Sequence, residues 1–189
     1  MKKISIVLYR LSTGWLALLS GFGLLIFTLF VLPTFNIRTA EFAGELGVPD
    51  LKFLYAPSIL QTMAEAYGES GRESYINLHW TLDLAFPLLY TFFLMTSTSW
   101  FLAKLIPSSS KARLLNLIPL IGFVGDIGEN FFSSLFMARF PNPCAVAQVL
   151  SAIFTPIKWL GFLASILLLI FAGFFFLKTL IIKLKEKSL

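Results

Sequence analysis

The chain has 189 residues, of which 57% are hydrophobic and 13% are charged, and its formal net charge is +5. Phenylalanine alone contributes 21 residues, so the composition indicates a chain that is surrounded mostly by lipid. The basic residues form no stripe with interleaved aromatic residues, which argues against nucleic acid as a partner. The single cysteine, Cys144, excludes an intrachain disulfide and a metal site built from cysteines.

Four apolar stretches predict four membrane-spanning helices, at residues of about 12–33, 80–104, 114–138 and 157–178. Each is close to the roughly 20 residues that cross a hydrocarbon core of about 30 Å. The first stretch is too long for the core of a signal peptide, and Pro33 is expected to end it. We therefore predict an all-α integral membrane protein, in which residues 1–189 form a single domain built on a four-helix bundle.

Basic residues cluster on one side of this predicted bundle. They precede the first span, occupy the loop between the second and third spans, and follow the fourth span. The few basic residues on the other side are accompanied by several acidic ones. The positive-inside rule therefore predicts a multi-pass protein of the cell membrane with both termini in the cytoplasm and lipid as its surroundings.

Residues 34–79 form the only sizeable polar segment, and we expect a short helical cap on the extracytoplasmic side there. Pro57 predicts the start of a short helix that ends at Gly68, and Ser70 with Glu73 predicts the start of the next helix. The face of the short helix that is expected to be buried carries Ile59, Leu60, Met63 and Tyr67, whereas Glu65 is expected to face water.

Ionisable residues occur within the predicted spans, where an isolated charge costs at least about 2.5–3.5 kcal/mol. Asp83 lies in the second span, and Asp126 and Glu129 lie in the third, all in the half nearer the outer surface. We expect these candidate catalytic residues to face a common cavity, where one carboxyl donates a proton and a neighbour accepts it. Candidate binding residues at a similar depth are Arg72, Tyr75, His79, Tyr90, Asn130 and Lys158.

The alternative is that these polar residues form a structural network that fixes the relative positions of the helices. The spacing of Asp126, Glu129 and Asn130 matches no specific set of metal ligands, and the chain has only one histidine. No metal and no cofactor are therefore expected.

The sequence thus predicts a polar pocket in the outer leaflet that binds an amphiphilic, lipid-like small molecule. If the protein is an enzyme, it modifies this molecule by carboxylate acid/base chemistry. Two alternatives stay open: a small transporter or proton-coupled carrier, in which the carboxylates relay protons, and a non-catalytic subunit of a membrane assembly. The inner halves of the spans carry no ionisable residue, which weakens the carrier alternative.

Overall fold

The computed structural model describes residues 2–142 and 144–187, and these residues are almost entirely helical, with no strand among them. Four helical segments are long and apolar enough to cross a membrane, as the composition indicated. We call them the first to fourth spans: Gly14–Leu46, Pro57–Leu105, Lys111–Arg139 and Ala145–Glu186. The prediction of an all-α chain with four candidate spans is confirmed.

The α-helices are α1 (Lys2–Leu11), α2 (Gly14–Ile26), α3 (Leu32–Ala43), α4 (Pro57–Leu78), α5 (Leu84–Leu105), α6 (Pro119–Arg139) and α7 (Ala145–Lys187). Short 3₁₀ helices occupy Gly44–Leu46, Pro49–Leu51 and Lys111–Leu117. The most extensive contact is between α6 and α7, and α5 packs against α2, α6 and α7. Several helices extend beyond the predicted spans. In particular, α7 begins at Ala145, because the uncharged stretch before residue 157 continues the helix.

Pro33 does not end the first helix, contrary to the prediction. A π-helical turn, Phe27–Val31, precedes it, and the Leu32 amide donates to the Phe27 carbonyl five residues back. The residue four positions before Pro33 lies in this turn, where the α-helical hydrogen-bond pattern is already shifted, so the missing N–H of proline is accommodated. Asp83, four positions before Pro87, likewise lies in a π-helical turn. This second turn, His79–Asp83, joins α4 to α5.

Helix α4 contains the predicted break at Gly68, which has φ 64° and ψ −175° and therefore adopts a left-handed conformation that favours glycine. Before the break, Leu60, Met63 and Tyr67 are buried and Glu65 is exposed, as predicted. The prediction for Ile59 was wrong, because this side chain is 36% exposed. Ile59 lies about 100° around the helix from Leu60, at the edge of the buried face.

Glycines bring α6 and α7 close together. A Cβ atom added at Gly125 would lie 2.3 Å from the backbone nitrogen of Lys158, and one added at Gly161 would lie 2.3 Å from the backbone nitrogen of Gly122. Side chains at these positions would force the helices apart, since real Cβ atoms do not approach backbone so closely. The contact places the Lys158 turn of α7 directly against α6, one helical turn from Glu129.

Candidate functional site

Buried charged side chains lie at one end of the helices, next to the segment that joins α3 to α4. Lys158 of α7 donates from Nζ to Asp50 Oδ1 at 3.3 Å and to the Asp50 carbonyl at 3.2 Å, and it forms an ion pair with Glu129 Oε2. Thr155, one turn earlier on α7, donates to the other Glu129 oxygen at 2.6 Å. A single buried lysine therefore lies between two buried carboxylates, an arrangement that is stable only while all partners are present.

Asp50 lies in the loop before α4, and hydrogen bonds between this loop and α7 place Asp50 in the cluster. Trp159 donates its indole N–H to the Lys52 carbonyl at 2.9 Å, and the hydroxyls of Tyr55 and Ser151 are 2.7 Å apart. Burial raises the pKa of Tyr55 to about 12, so its hydroxyl is protonated at neutral pH. These bonds hold the 3₁₀ helix Pro49–Leu51 over the end of the helices.

His79 lies on the other side of Asp50. Its Nδ1 is 2.7 Å from the Tyr75 carbonyl, which can only accept, so Nδ1 carries a proton, and Nε2 contacts Asp50 Oδ2. The imidazole stacks on the Tyr75 ring at a centroid distance of 3.8 Å, and the Tyr75 hydroxyl donates to Ser133 at 2.9 Å. The His79 ring is therefore fixed in orientation and aimed at the Asp50 carboxylate.

The pKa of the Asp50 carboxyl depends on its two basic neighbours, His79 and Lys158. Burial by itself would raise the pKa of the Asp50 carboxyl, but the charges of His79 and Lys158 outweigh burial and hold this pKa well below its usual range. Asp50 is therefore ionised at neutral pH and neutralises part of the charge of both basic side chains.

Asp83 and Asp126 form the second half of the cluster. The Asn130 side-chain amide donates to Asp83 Oδ2 at 2.8 Å and to Asp126 Oδ1 at 3.4 Å. Within the described part of the chain, no ion pair joins either carboxyl to a basic side chain. The Asn130 Oδ1 atom and the Tyr90 hydroxyl are also buried without a hydrogen-bond partner among the described residues. Because buried polar groups are normally paired, these atoms are positions where a bound molecule or water would bind.

A cavity of about 220 Å³ opens onto this half of the cluster. The polar residues that line it are Asn36, Asp50, Asp83, Asp126 and Lys158. The rest is lined mainly by apolar and aromatic side chains: Leu32, Phe35, Leu51, Phe86, Tyr90, Trp159 and Phe162. Pockets for whole drug-sized ligands are usually about 300–1,000 Å³. This cavity is therefore large enough for a polar head and the first part of an apolar chain.

The structure brings most of the sequence-predicted residues together. Asp83, Asp126, Tyr90 and Lys158 line the cavity, and the rest lie directly behind them: Tyr75, His79, Glu129 and Asn130. Glu129 is separated from the cavity by Lys158, with which it pairs. The three predicted carboxyls thus divide into Asp83 and Asp126, which line the cavity, and Glu129, which pairs with Lys158.

Arg72 does not reach the site, contrary to the prediction. Its guanidinium lies 4.6 Å from the centre of the Phe140 ring and donates to the Ala64 carbonyl at 2.9 Å. The break at Gly68 interrupts the helical hydrogen bonding near this carbonyl. Arg72 therefore contacts residues beside the break in α4 and does not line the cavity.

Asp50 is the site residue that the sequence reasoning missed. It follows the first span in the segment that was predicted to be a polar cap. There it was considered only as one of the acidic residues on the predicted extracytoplasmic side. The available signal was local: Val48, Pro49 and Leu51 surround one acidic residue with apolar ones, and both Val48 and Pro49 are buried. Val48 and Pro49, immediately before Asp50, anchor it in the interior, whereas Leu51 after it is 66% exposed.

Asp50, His79 and Asp83 are the residues best placed to hold a metal ion, because one ligand atom from each lies within 4.8 Å of the others. Asp50 and His79 already contact each other, however, and Lys158 contributes a positive charge at the same carboxylate. An ion would have to separate these partners. The arrangement is therefore better suited to proton transfer and hydrogen bonding than to metal binding.

No model of a protein family matches the chain, and comparison with curated proteins and with solved structures finds no match. The class of protein is accordingly defined by the helices themselves: four apolar helices of spanning length characterise a multi-pass membrane protein.

Proposed function

We propose that this protein is a four-helix membrane bundle whose cavity binds an amphiphilic, lipid-like small molecule. The observation that carries the proposal is the presence, in one cavity, of an aromatic wall together with Asp83, Asp126 and the Tyr90 hydroxyl, for which no described residue is a hydrogen-bond partner. An apolar chain would pack along the rings, and a polar head would reach the two carboxyls. Such a division of apolar walls and few polar groups is typical of small-molecule sites.

The charges of the cluster favour a head that is positively charged or donates hydrogen bonds. Lys158 and His79 pair with Asp50 and Glu129. Among the residues that the structure describes, Asp83 and Asp126 therefore share only the Asn130 amide. A protonated amine between these two carboxyls would supply the missing positive charge, and the Tyr90 ring would stabilise it further. If the bound molecule is transformed, Asp83 and Asp126 are the groups that reach it, one as acid and the other as base.

Photolabelling tests this proposal in the full-length protein, embedded in phosphatidylcholine nanodiscs. The reagents are a long-chain amine with a photoreactive diazirine on the chain and the matching fatty acid. We expect the amine to label the cavity at the segments around Phe86 and Phe162 and the fatty acid to label it much more weakly. Asp83→Asn combined with Asp126→Asn should weaken this labelling strongly.

The matched control is Glu65→Gln, which changes an exposed carboxyl of α4 to an amide and should leave the labelling unchanged. Labelling that is spread over lipid-facing residues and is equal in all three proteins would overturn the proposal.

We also propose that the site faces the extracytoplasmic side, with both termini in the cytoplasm and residues 44–56 of the predicted cap lying over the cavity. The distribution of basic residues supports this orientation. In a Cys144→Ser background, a cysteine at Glu41 should react with an impermeant maleimide in intact cells, and one at Ser108 should be protected. The reverse pattern would show the opposite orientation.

One observation favours a proton-coupled carrier as the second candidate. The hydroxyls of Thr91, Ser97 and Thr98 on α5 are buried without a hydrogen-bond partner among the described residues, and they lead from Tyr90 toward the far end of the helix. Internal water would satisfy them and could carry protons. Proton flux into proteoliposomes that is abolished by Asp126→Asn and reduced by Thr98→Val would establish this candidate instead.

A further inference from the structure

A second pocket lies at the opposite end of the helices from Asp50, between α1 and the segment that joins α5 to α6. Its volume is about 600 Å³. We call it the basic cleft, because none of its described lining residues is acidic and four are basic: Lys2, Arg10, Lys111 and Arg113. The hydroxyls of Ser108, Ser109 and Ser110 line it as well. Cations and hydroxyl donors together are the groups that bind phosphate oxygens in proteins.

Contacts of Arg113 and Tyr9 hold one wall of the cleft in place. Arg113 donates to the Ile106 and Ala103 carbonyls, and its guanidinium lies 4.6 Å from the centre of the Tyr9 ring. The Tyr9 hydroxyl donates in turn to the Arg113 carbonyl at 2.7 Å. These contacts attach α1 to the segment before α6, so the cleft keeps its shape without a ligand.

The remaining cations are available to a ligand. Lys2, Arg10 and Lys111 are exposed, and none of them forms an ion pair with a residue that the structure describes. Three such charges around one cleft repel one another, and an anion bound between them would remove that repulsion.

Apolar side chains accompany the charges. On α1, Ile4, Val7 and Leu11 are 52%, 50% and 61% exposed, and Ile6 and Leu114 line the cleft itself. A short helix with basic residues and exposed apolar residues is typical of segments that lie at the surface of a membrane. A ligand with a phosphate and apolar chains would contact the basic residues through the phosphate and the apolar residues through the chains.

We propose that the basic cleft binds the phosphate headgroup of an anionic phospholipid, whose acyl chains run along the apolar side chains of α1. The lipid would hold α1 against the membrane surface next to the first span. This site is separate from the amphiphile cavity and does not depend on what that cavity binds.

Native mass spectrometry of the full chain in detergent micelles tests the proposal, with dioleoylphosphatidylglycerol and dioleoylphosphatidylcholine as the added lipids. The anionic lipid should bind about tenfold or more tightly than the zwitterionic one, since each basic residue adds to the attraction. Lys2→Gln combined with Lys111→Gln should lower the affinity for the anionic lipid by about tenfold.

The control is Lys178→Gln combined with Lys183→Gln, which removes the same charge from α7 at positions outside the cleft. This variant should keep the affinity of the unmodified protein. Inorganic phosphate at the same concentration as the lipid should not displace the lipid, because phosphate lacks the acyl chains that pack on α1. Equal losses in the two double variants would mean general charge attraction. Equal binding of both lipids, or displacement by inorganic phosphate, would also overturn the lipid site.

Discussion

The two ends of this molecule bury polar groups of different kinds. At the end with the basic cleft, the buried network is neutral: Ser5 donates to Asn116 at 2.8 Å, and Asn116 donates to Ser99 at 2.9 Å. At the opposite end, buried carboxylates surround Lys158. Neutral groups thus suffice to connect α1, α5 and the segment before α6. Buried ion pairs rarely add stability over apolar packing. The charged cluster is the part of the molecule for which we propose a function in binding.

Among the variants proposed here, the substitution of Lys158 at the charged end should lower the stability of the protein most. Lys158→Met leaves Glu129 buried without its cation and removes one of the two basic partners of Asp50, which costs about 3–5 kcal/mol. For a chain of this length we expect the midpoint of thermal unfolding to fall by about 10 °C. The control, Lys178→Met, removes an exposed lysine and should leave the midpoint nearly unchanged. Equal small effects in the two variants would contradict the interpretation of Lys158 as the centre of the cluster.

A second test concerns the contact that positions Lys158. Gly125→Ala would place a Cβ atom 2.3 Å from the Lys158 backbone nitrogen, so α6 and α7 must separate. Overpacking of this kind costs about 1–3 kcal/mol, and thermal unfolding in micelles measures it. A Cβ atom at Gly23 would meet nothing within 4 Å, so Gly23→Ala should be neutral or slightly stabilising. Tolerance of alanine at both positions would disprove the close helix contact.

The charged end should also respond to acid. The pKa of Asp50 is lowered in the folded protein, so the ionised carboxylate contributes stability that is complete above its unfolded value of about 3.9 and is lost as the pH falls toward the folded value. Asp50→Asn should therefore lower the unfolding midpoint at pH 7, and the difference from the unmodified protein should shrink toward pH 3. A difference that stays constant over this range would show that Asp50 is not held by His79 and Lys158.

The smallest effect is expected in the neutral network. Ser5→Ala removes one hydrogen bond to Asn116 and should cost about 1 kcal/mol in thermal unfolding. The control is Ser108→Ala at an exposed serine, which should have no effect. A loss as large as that of Lys158→Met would remove the distinction between the two ends.

The lengths of the apolar stretches predicted the coarse fold well. Four apolar stretches of spanning length imply four helices. Gly68 was predicted to end a helix because glycine favours positive φ, and its φ is positive in the structure. Pro33 was misread because a proline usually ends a helix. Here a π-helical turn before it shifts the hydrogen bonds, and that turn depends on the packing of the finished fold.

The site was predictable only where helical spacing determines it. Asp126, Glu129 and Asn130 lie on one helix, so their proximity follows from the sequence. Asp50 reaches them through a loop whose position depends on the bonds of Tyr55 and Trp159 to other segments. No periodic pattern encodes such contacts, which is why the partner of both His79 and Lys158 was missed.

A double-mutant cycle tests the central claim, that Asp83 and Asp126 form one site for a polar head. Photolabelling by the diazirine amine is measured as an apparent affinity for the unmodified protein, Asp83→Asn, Asp126→Asn and the double variant. The account predicts a coupling free energy of about 0.5–3 kcal/mol between the two substitutions, and none between Asp83→Asn and Glu65→Gln. If the effects of Asp83→Asn and Asp126→Asn simply add, the two carboxyls do not share a ligand and the account is contradicted.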